Sequence, residues 1–430
     1  MVFNVISWEC IAGSALVLFA RHIEMPPSWV GKLLSFMPLS QIIVVFMVPV
    51  VTRLGSKRLM YNTWMFRNLT ACCVFIMPWA MQWWGPTAAW YVLLTSTLGF
   101  CIARSVGAGG WFPWLHEVVP EHQRGLYFSA EASVARLVVL CVAIGQGIIL
   151  WGNGGLNRYL IIYAIGISSG LFSLVWMKRV PGGDGNPEAT FAQGRLAAFS
   201  IALKDRRFFR FVLTASFCVS CFSWLGSSMT MYMRDQLGMA DLHIMMLVGL
   251  GSGGVLFTIS SWMRFAEHHG SGHTMFLTLA GHSVIGMVLF ALLPGQAWTT
   301  YAIVPVYVLL NVLGAAYWVS MNRAMLNCIN PENRVTYGSL WTVCTSLSGG
   351  ATPILAGYII EWMDLWGFRM CFGIAVVGGA LGAVLCRHVV RDGGAQGWDW
   401  RRSLTVGAPV RGLTRIVKVT VGLDETNVTR

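Results

Sequence analysis

The chain has 430 residues, of which 56% are hydrophobic and only 11% charged, with a mean hydropathy of +0.62. Soluble proteins carry roughly 25% charged residues, and so few charges cannot cover a soluble globule of this length. The apolar excess must face lipid, which predicts a polytopic membrane protein. The formal charge of +12 would suggest nucleic acid in a soluble chain, but in a membrane protein it belongs to the basic loops on the cytoplasmic side. No nucleic-acid partner is expected.

At about 20 residues per crossing, apolar runs are predicted as spans near Asn4–Ala20, Leu33–Thr52, Leu59–Trp83, Ala88–Trp114, Leu126–Trp151 and Tyr159–Trp176. A polar stretch, Lys178 to Arg210, carries Pro181-Gly182-Gly183-Asp184-Gly185-Asn186-Pro187, which cannot continue a helix. Six more spans follow near Phe211–Met233, Leu242–Met263, Met275–Leu293, Thr299–Met321, Tyr337–Ile360 and Met370–Cys386. The expected organisation is an N-terminal bundle over 1–177, a cytoplasmic central loop over 178–210, a C-terminal bundle over 211–386 and a basic cytoplasmic tail over 387–430. Cys218 and Cys221 form a lone CxxC inside a span, which is not a metal site without a second pair. No metal-protease, nucleophile-elbow or phosphate-loop motif occurs in the sequence, so catalytic residues, metal and cofactor are not expected.

An even number of crossings puts both termini on one side. With the termini inside, Arg21, Lys32, Arg158, Arg234 and Arg369 lie outside, and Arg67, Arg104 and Arg136 lie within spans. The other 22 of the 30 Lys and Arg residues then face the cytoplasm, the asymmetry that sets orientation. A multi-pass protein of the cytoplasmic membrane, monomeric in the bilayer, is expected.

The loops repeat. Pro120-Glu121-His122-Gln123-Arg124 follows the fourth span and Pro331-Glu332-Asn333-Arg334 the tenth, with prolines 211 residues apart. Arg53-Leu54-Gly55-Ser56 after the second span corresponds to His268-His269-Gly270-Ser271 after the eighth, at an offset of 215. Two loop pairs with nearly one offset predict parallel six-span repeats.

Six plus six spans, a polar central segment and these loops together resemble the major facilitator superfamily over about residues 1–390. Arg53, Gly55 and Lys57 fit the family's loop signature after the second span, although Thr52 stands where that signature has an acid and Val48 where it has its first glycine. Glu267 and Gly270 fit it in the second half, with His268 in place of the arginine. Arg104 followed by Gly107, Gly109 and Gly110 is similar to the fourth-span signature with the glycine spacing shifted by one, whereas the Gly-Pro pattern of drug antiporters is absent from Gly145-Gln146-Gly147. The resemblance implies an all-α fold of twelve transmembrane helices in two six-helix bundles, with the first, fourth, seventh and tenth spans lining a central cavity. It also implies a secondary transporter that works by alternating access. Proton-driven export of amphipathic compounds, or a non-transporting sensor on the same fold, are the alternatives.

Ionised residues at mid-bilayer cost about 2.5–3.5 kcal/mol or more, so those inside cavity-lining spans are the first candidates. Glu9 in the first span and Arg104 in the fourth are expected to face one another and couple protons, unless they merely form a structural ion pair. The repeat offset aligns them with Trp224 and the Tyr317-Trp318 pair, and Ser227, Ser228, Asn311 and Asn322 add hydrogen-bonding groups for a small organic solute. By resemblance, Arg53, Gly55, Lys57, Glu117, Arg124, Glu267, Gly270 and Arg334 form a cytoplasmic gate whose ion pairs exist in one state and break in the other.

Overall fold

In the computed structural model of the chain, the structure describes residues 1–119, 124–152, 155–185, 203–292, 294–328 and 334–390, without the side chains at 48, 49, 112, 116, 124–130, 297, 334 and 335. Most of the expected central loop and all of the expected tail beyond 390 therefore lie outside the described residues, as do the side chains of Arg124 and Arg334.

The described residues are nearly all helical, and no strand occurs among them. Eleven runs among them are long and apolar enough to cross a bilayer: Val2–His22, Pro27–Phe46, Pro86–Leu115, Glu131–Ile149, Leu156–Arg179, Arg206–Gln236, Asp241–His269, Ser271–Ala291, Trp298–Cys328, Thr336–Met363 and Leu365–Val389. One further run, built from Ser56–Cys72, Cys73–Ile76 and Met77–Trp84, takes the place of the third span. It carries Lys57, Arg58 and Arg67 and packs against the fourth and sixth spans. The protein is a multi-pass, all-α membrane protein.

Two spans tighten into 3-10 turns, at Gln41–Phe46 and Cys73–Ile76. Each turn contains the residue four before a proline, Val45 before Pro49 and Val74 before Pro78. A proline ring clashes with that carbonyl and offers it no N–H, so the turn rewinds to satisfy it. The first span, expected as one helix, is two: Val2–Ala12 and Ser14–His22, broken where Gly13 takes an extended conformation.

The turns carry the repeat further than the loop motifs do. Positive φ occurs at Glu24 (55°) and Gly238 (60°), at Gly55 (84°) and Gly270 (87°), at Gly85 (83°) and Gly295 (86°), and at Gly152 (85°) and Asp364 (49°). These pairs lie 214, 215, 210 and 212 residues apart, one member in each half, at equivalent turns. At Gly55 and Gly270 the glycine also serves as N-cap, with ψ of 145° and 153°, before helices that start at Ser56 and Ser271. The matching offsets fit two parallel repeats of one helical unit.

The halves meet along two symmetry-related seams, the second span against the eleventh and the fifth against the eighth. Gly31 and Gly357 let backbones touch across the first seam: a Cβ on Gly31 would strike the Pro353 carbonyl, and one on Gly357 the Pro27 carbonyl. Between lipid-embedded helices, packing of this kind replaces the hydrophobic drive available in water.

Candidate functional site

The break at Gly13 organises the centre of the molecule. Interrupting a helix orphans backbone carbonyls, and two distant side chains take them up. Gln146 Nε2 donates to the Glu9 carbonyl at 3.1 Å, and the Tyr163 hydroxyl donates to the Ile11 carbonyl at 3.2 Å. The fifth and sixth spans thereby hold the first in its bent form. The Glu9 carboxylate folds back over the break, and a Cβ on Gly13 would come within 2.7 Å of Glu9 Oε2. The charge facing Glu9 belongs to Arg136 of the fifth span, and Tyr307 of the tenth span also lies within its field. Sequence reasoning misses Tyr307. The signal that could have found it is Asn311 one turn later, whose Nδ2 donates to the Tyr307 carbonyl at 2.9 Å.

Arg104 does not pair with Glu9, which corrects the expected constellation. Its guanidinium lies over the Trp8 ring at 4.2 Å and reaches Met37 Sδ at 3.4 Å. Adjacent residues on a helix diverge by about 100°, so Trp8 and Glu9 point to different sides. Each guanidinium follows the side it faces.

In the second half, Trp224 is buried at 9% exposure. The Ser227 and Ser228 hydroxyls are spent on their own helix, donating to the Ser223 and Trp224 carbonyls, each at 2.6 Å. Tyr317 does not line the space between the bundles. It is fully buried within the second bundle, its ring 4.6 Å from Phe222, in a cluster with Cys218 and Cys386. Trp318 and Asn322 are exposed. Trp318 lies opposite exposed Leu309 on the tenth span, because nine residues turn a helix half-way round. Asn311 is half-buried and packs against Gly251.

Among the described residues, several polar contacts join the halves at the end remote from the central segment. Arg21 Nε and Asp235 Oδ2 form an ion pair at 2.9 Å, and the Ser28 backbone N–H donates to Glu361 Oε2 at 2.9 Å. Arg234 donates to the Leu18 carbonyl, and the Tyr159 hydroxyl donates to Asp241. Arg234 and Asp235 are presented by a π-helical turn, Tyr232–Gln236, that ends the seventh span, and such turns recur at functional positions. The sequence assigns Arg21 and Arg234 a part in topology alone. Yet Asp235 lies 214 residues after Arg21, the offset of Glu24 and Gly238, so repeat-equivalent positions of opposite charge meet between the halves.

Toward the other end, the described residues of the first and fifth spans are less buried. Ala15 to Ala20 beyond the break are all buried, whereas below it only Ser7, Cys10 and Ile11 are. The fifth span is just 17% buried, against 44–56% for the spans of the second bundle. Three of the expected gate residues on this side, Gly55, Lys57 and Glu117, engage the central segment. Lys57 Nζ donates to the Val180 carbonyl at 2.5 Å, the Gly183 N–H donates to Glu117 Oε2 at 2.8 Å, and Gly55 packs on the backbone of Gly183 to Gly185. Arg53, Lys57, Arg58 and Lys178 line a cavity of about 480 Å³ there. Glu267 is exposed and Gly270 buried.

These features define two helical bundles joined along two seams, and comparison with known proteins agrees in fold. A model of the Major Facilitator Superfamily matches residues 226–415. The crystal structure of a point mutant of the nucleoside transporter NupG superposes with a TM-score of 0.68 at 12% identity, covering 91% of this chain and 98% of that one. A bacterial homologue of the iron transporter ferroportin gives 0.66 at 13% identity in its inward-facing state, covering 91% and 96%. In its outward-facing state it gives 0.59 at 14% identity, covering 90% and 96%. No curated protein matches the chain in sequence. The chain has the fold of these structures, and its residues 226–415 match the family model.

Proposed function

We propose that the protein is a secondary transporter that carries a small organic solute across the cytoplasmic membrane by alternating access, coupled to protons through Glu9. The less buried end is then the open, cytoplasmic one, and both termini lie on that side. The observation that carries this reading is the position of Glu9. It sits near the bend of a broken span, below a segment whose Ala15 to Ala20 are all buried and within a partly exposed lower one. A carboxylate whose surroundings alternate between wet and dry takes up a proton in one state and releases it in the other. Discontinuous spans at the bilayer midplane recur as coupling and substrate sites in transporters. Trp318, Asn322, Asn311, Trp224, Ser227 and Ser228 belong to the opposing wall, and the residues near Arg53 and Glu267 to the gate that closes on the cytoplasmic side. The neighbouring structures are those of nucleoside and iron transporters and homologues, and such different cargoes on one fold leave the solute to be settled by the site itself.

Spin labels at Glu24 and Ala240 report the sealed end, and labels at Arg58 and Glu267 the open one. Double electron–electron resonance in nanodiscs is expected to show two populations at each end that change in opposite senses with pH. In Glu9→Gln the two populations persist without responding to pH. A single unchanging distance at both ends across pH would defeat the alternating-access reading. Unaltered pH sensitivity in Glu9→Gln would defeat the coupling role alone.

A further inference from the structure

Arg67 carries a charge that no described residue of the first bundle balances. It is fully buried. Its Nη2 reaches Ser7 Oγ only at 3.5 Å, and Nε and Nη1 have no hydrogen-bond partner among the described residues. The guanidinium lies over Trp64 at 4.7 Å and Phe100 at 4.9 Å. Phe100 stacks on Trp8 at 6.1 Å, and Trp8 carries Arg104 on its ring. Two guanidiniums are thus linked through aromatic rings, close enough for their charges to repel. The charge acting on Glu9 is that of Arg136, and on Glu131 that of the Met1 amino group. Arginine does not shed its charge, and a buried ion is tolerated when it is paired. Aromatic faces soften such a site without neutralising it.

We propose that Arg104 and Arg67 form the anion-recognising wall of the solute site, and that the solute is an organic carboxylate with an apolar or aromatic body. The proposal rests on the transporter reading above and names its cargo. Arg104, half-buried and without an acidic partner among the described residues, offers its planar fork to the carboxylate, while Trp8 and Met37 flank the body. Arg67 lies behind, adding positive field from a position the solute does not touch. Inorganic phosphate shares the charge but not the body, so the flanking ring and thioether favour the organic acid.

The test uses the purified full chain, with benzoate as probe and benzamide as its neutral counterpart, read by calorimetry and thermal unfolding. Benzoate is expected to bind at millimolar concentration and raise Tm, with benzamide at least roughly tenfold weaker, the loss expected when a charge-assisted pair is replaced by a neutral one. Arg104→Gln is expected to lose benzoate binding, and Arg104→Lys to keep part of it, since a lysine supplies charge without the fork. Arg67→Met is expected to raise the Tm of the empty protein while weakening benzoate, because it removes an unbalanced charge that only the ligand offsets. The proposal is overturned if benzoate does not bind, if benzamide binds equally, or if Arg104→Gln leaves benzoate affinity unchanged. Tight binding of inorganic phosphate alone also overturns it, as does a lower Tm for empty Arg67→Met with benzoate affinity intact. The spin-label distances are measured on the same preparation, so loss of anion binding with alternation preserved rejects the cargo and not the transporter.

Discussion

Glu9 and Arg104 were legible as single residues because an ionisable group in a span is costly and therefore retained for a reason. Their partners were not, since pairing depends on how each helix is rotated about its axis. Glu9 turned to Arg136, and Arg104 to Trp8. Gly13→Ala tests the packing of the carboxylate against the break. The new methyl occupies space now filled by Glu9 Oε2, so the pH response of the spin-label distances is expected to shrink while the protein still folds. Glu24 holds a φ of 55° and is exposed. A left-handed conformation costs an L-residue about 1–2 kcal/mol, partly cancelled by the extra unfolded-state freedom of glycine. Glu24→Gly is therefore expected to stabilise by about 0.5 kcal/mol, measured as a small rise in Tm in detergent.

Whole elements followed the sequence where hydropathy decided them and departed from it where a single residue did. The third span is a case of both. Its helix forms as expected, yet Lys57, Arg58 and Arg67 keep it below the apolarity of the other spans, and Pro78 tightens its middle into a 3-10 turn. Gly55 shows how one turn holds an element in place. Its φ is 84°, and a Cβ added there would come within 2.5 Å of Gly185 N, so the central segment lies directly on the turn. Gly55→Ala imposes both backbone strain and a clash, with an expected destabilisation of about 1–2 kcal/mol from the strain alone. Limited proteolysis is expected to cut the central segment faster in this variant, at sites near residues 180–185. Equal cutting rates in variant and parent would show that the turn does not anchor the segment.

At the scale of the molecule, the proposed alternation has the two bundles rock about the seams that join them. The Arg21–Asp235 pair is partly exposed, with 21% and 18% of the side chains accessible, and such a pair contributes about 0–1 kcal/mol. That amount matters little to folding but shifts a balanced conformational equilibrium up to about fivefold. Arg21→Asp is expected to enlarge the population open at the sealed end, and adding Asp235→Arg to restore the original distribution of distances. Failure of the double variant to restore it would remove this pair from the closing mechanism. Bulk on the first seam acts in the same direction. Gly357→Leu drives a side chain into the Pro27 backbone and is expected to hold the sealed end apart, read as a single long distance there.

What the sequence alone determined was the solvent and the plan: lipid, many crossings in two parallel halves, and buried charges in the first and fourth spans. Those follow from composition and period, which are local quantities summed along the chain. The four pairs of positive-φ turns were foreshadowed by one loop pair at an offset of 215, because a turn's backbone is fixed by a few adjacent residues. Tertiary structure alone decided that Tyr317 points into its own bundle, that Tyr307 lies near Glu9, and that Arg21 meets Asp235 between the halves. It also left Arg67 buried without an acidic partner among the described residues. Each of these depends on the rotation and tilt of one helix against another, set by packing between residues far apart in the chain, which no period along a single chain encodes.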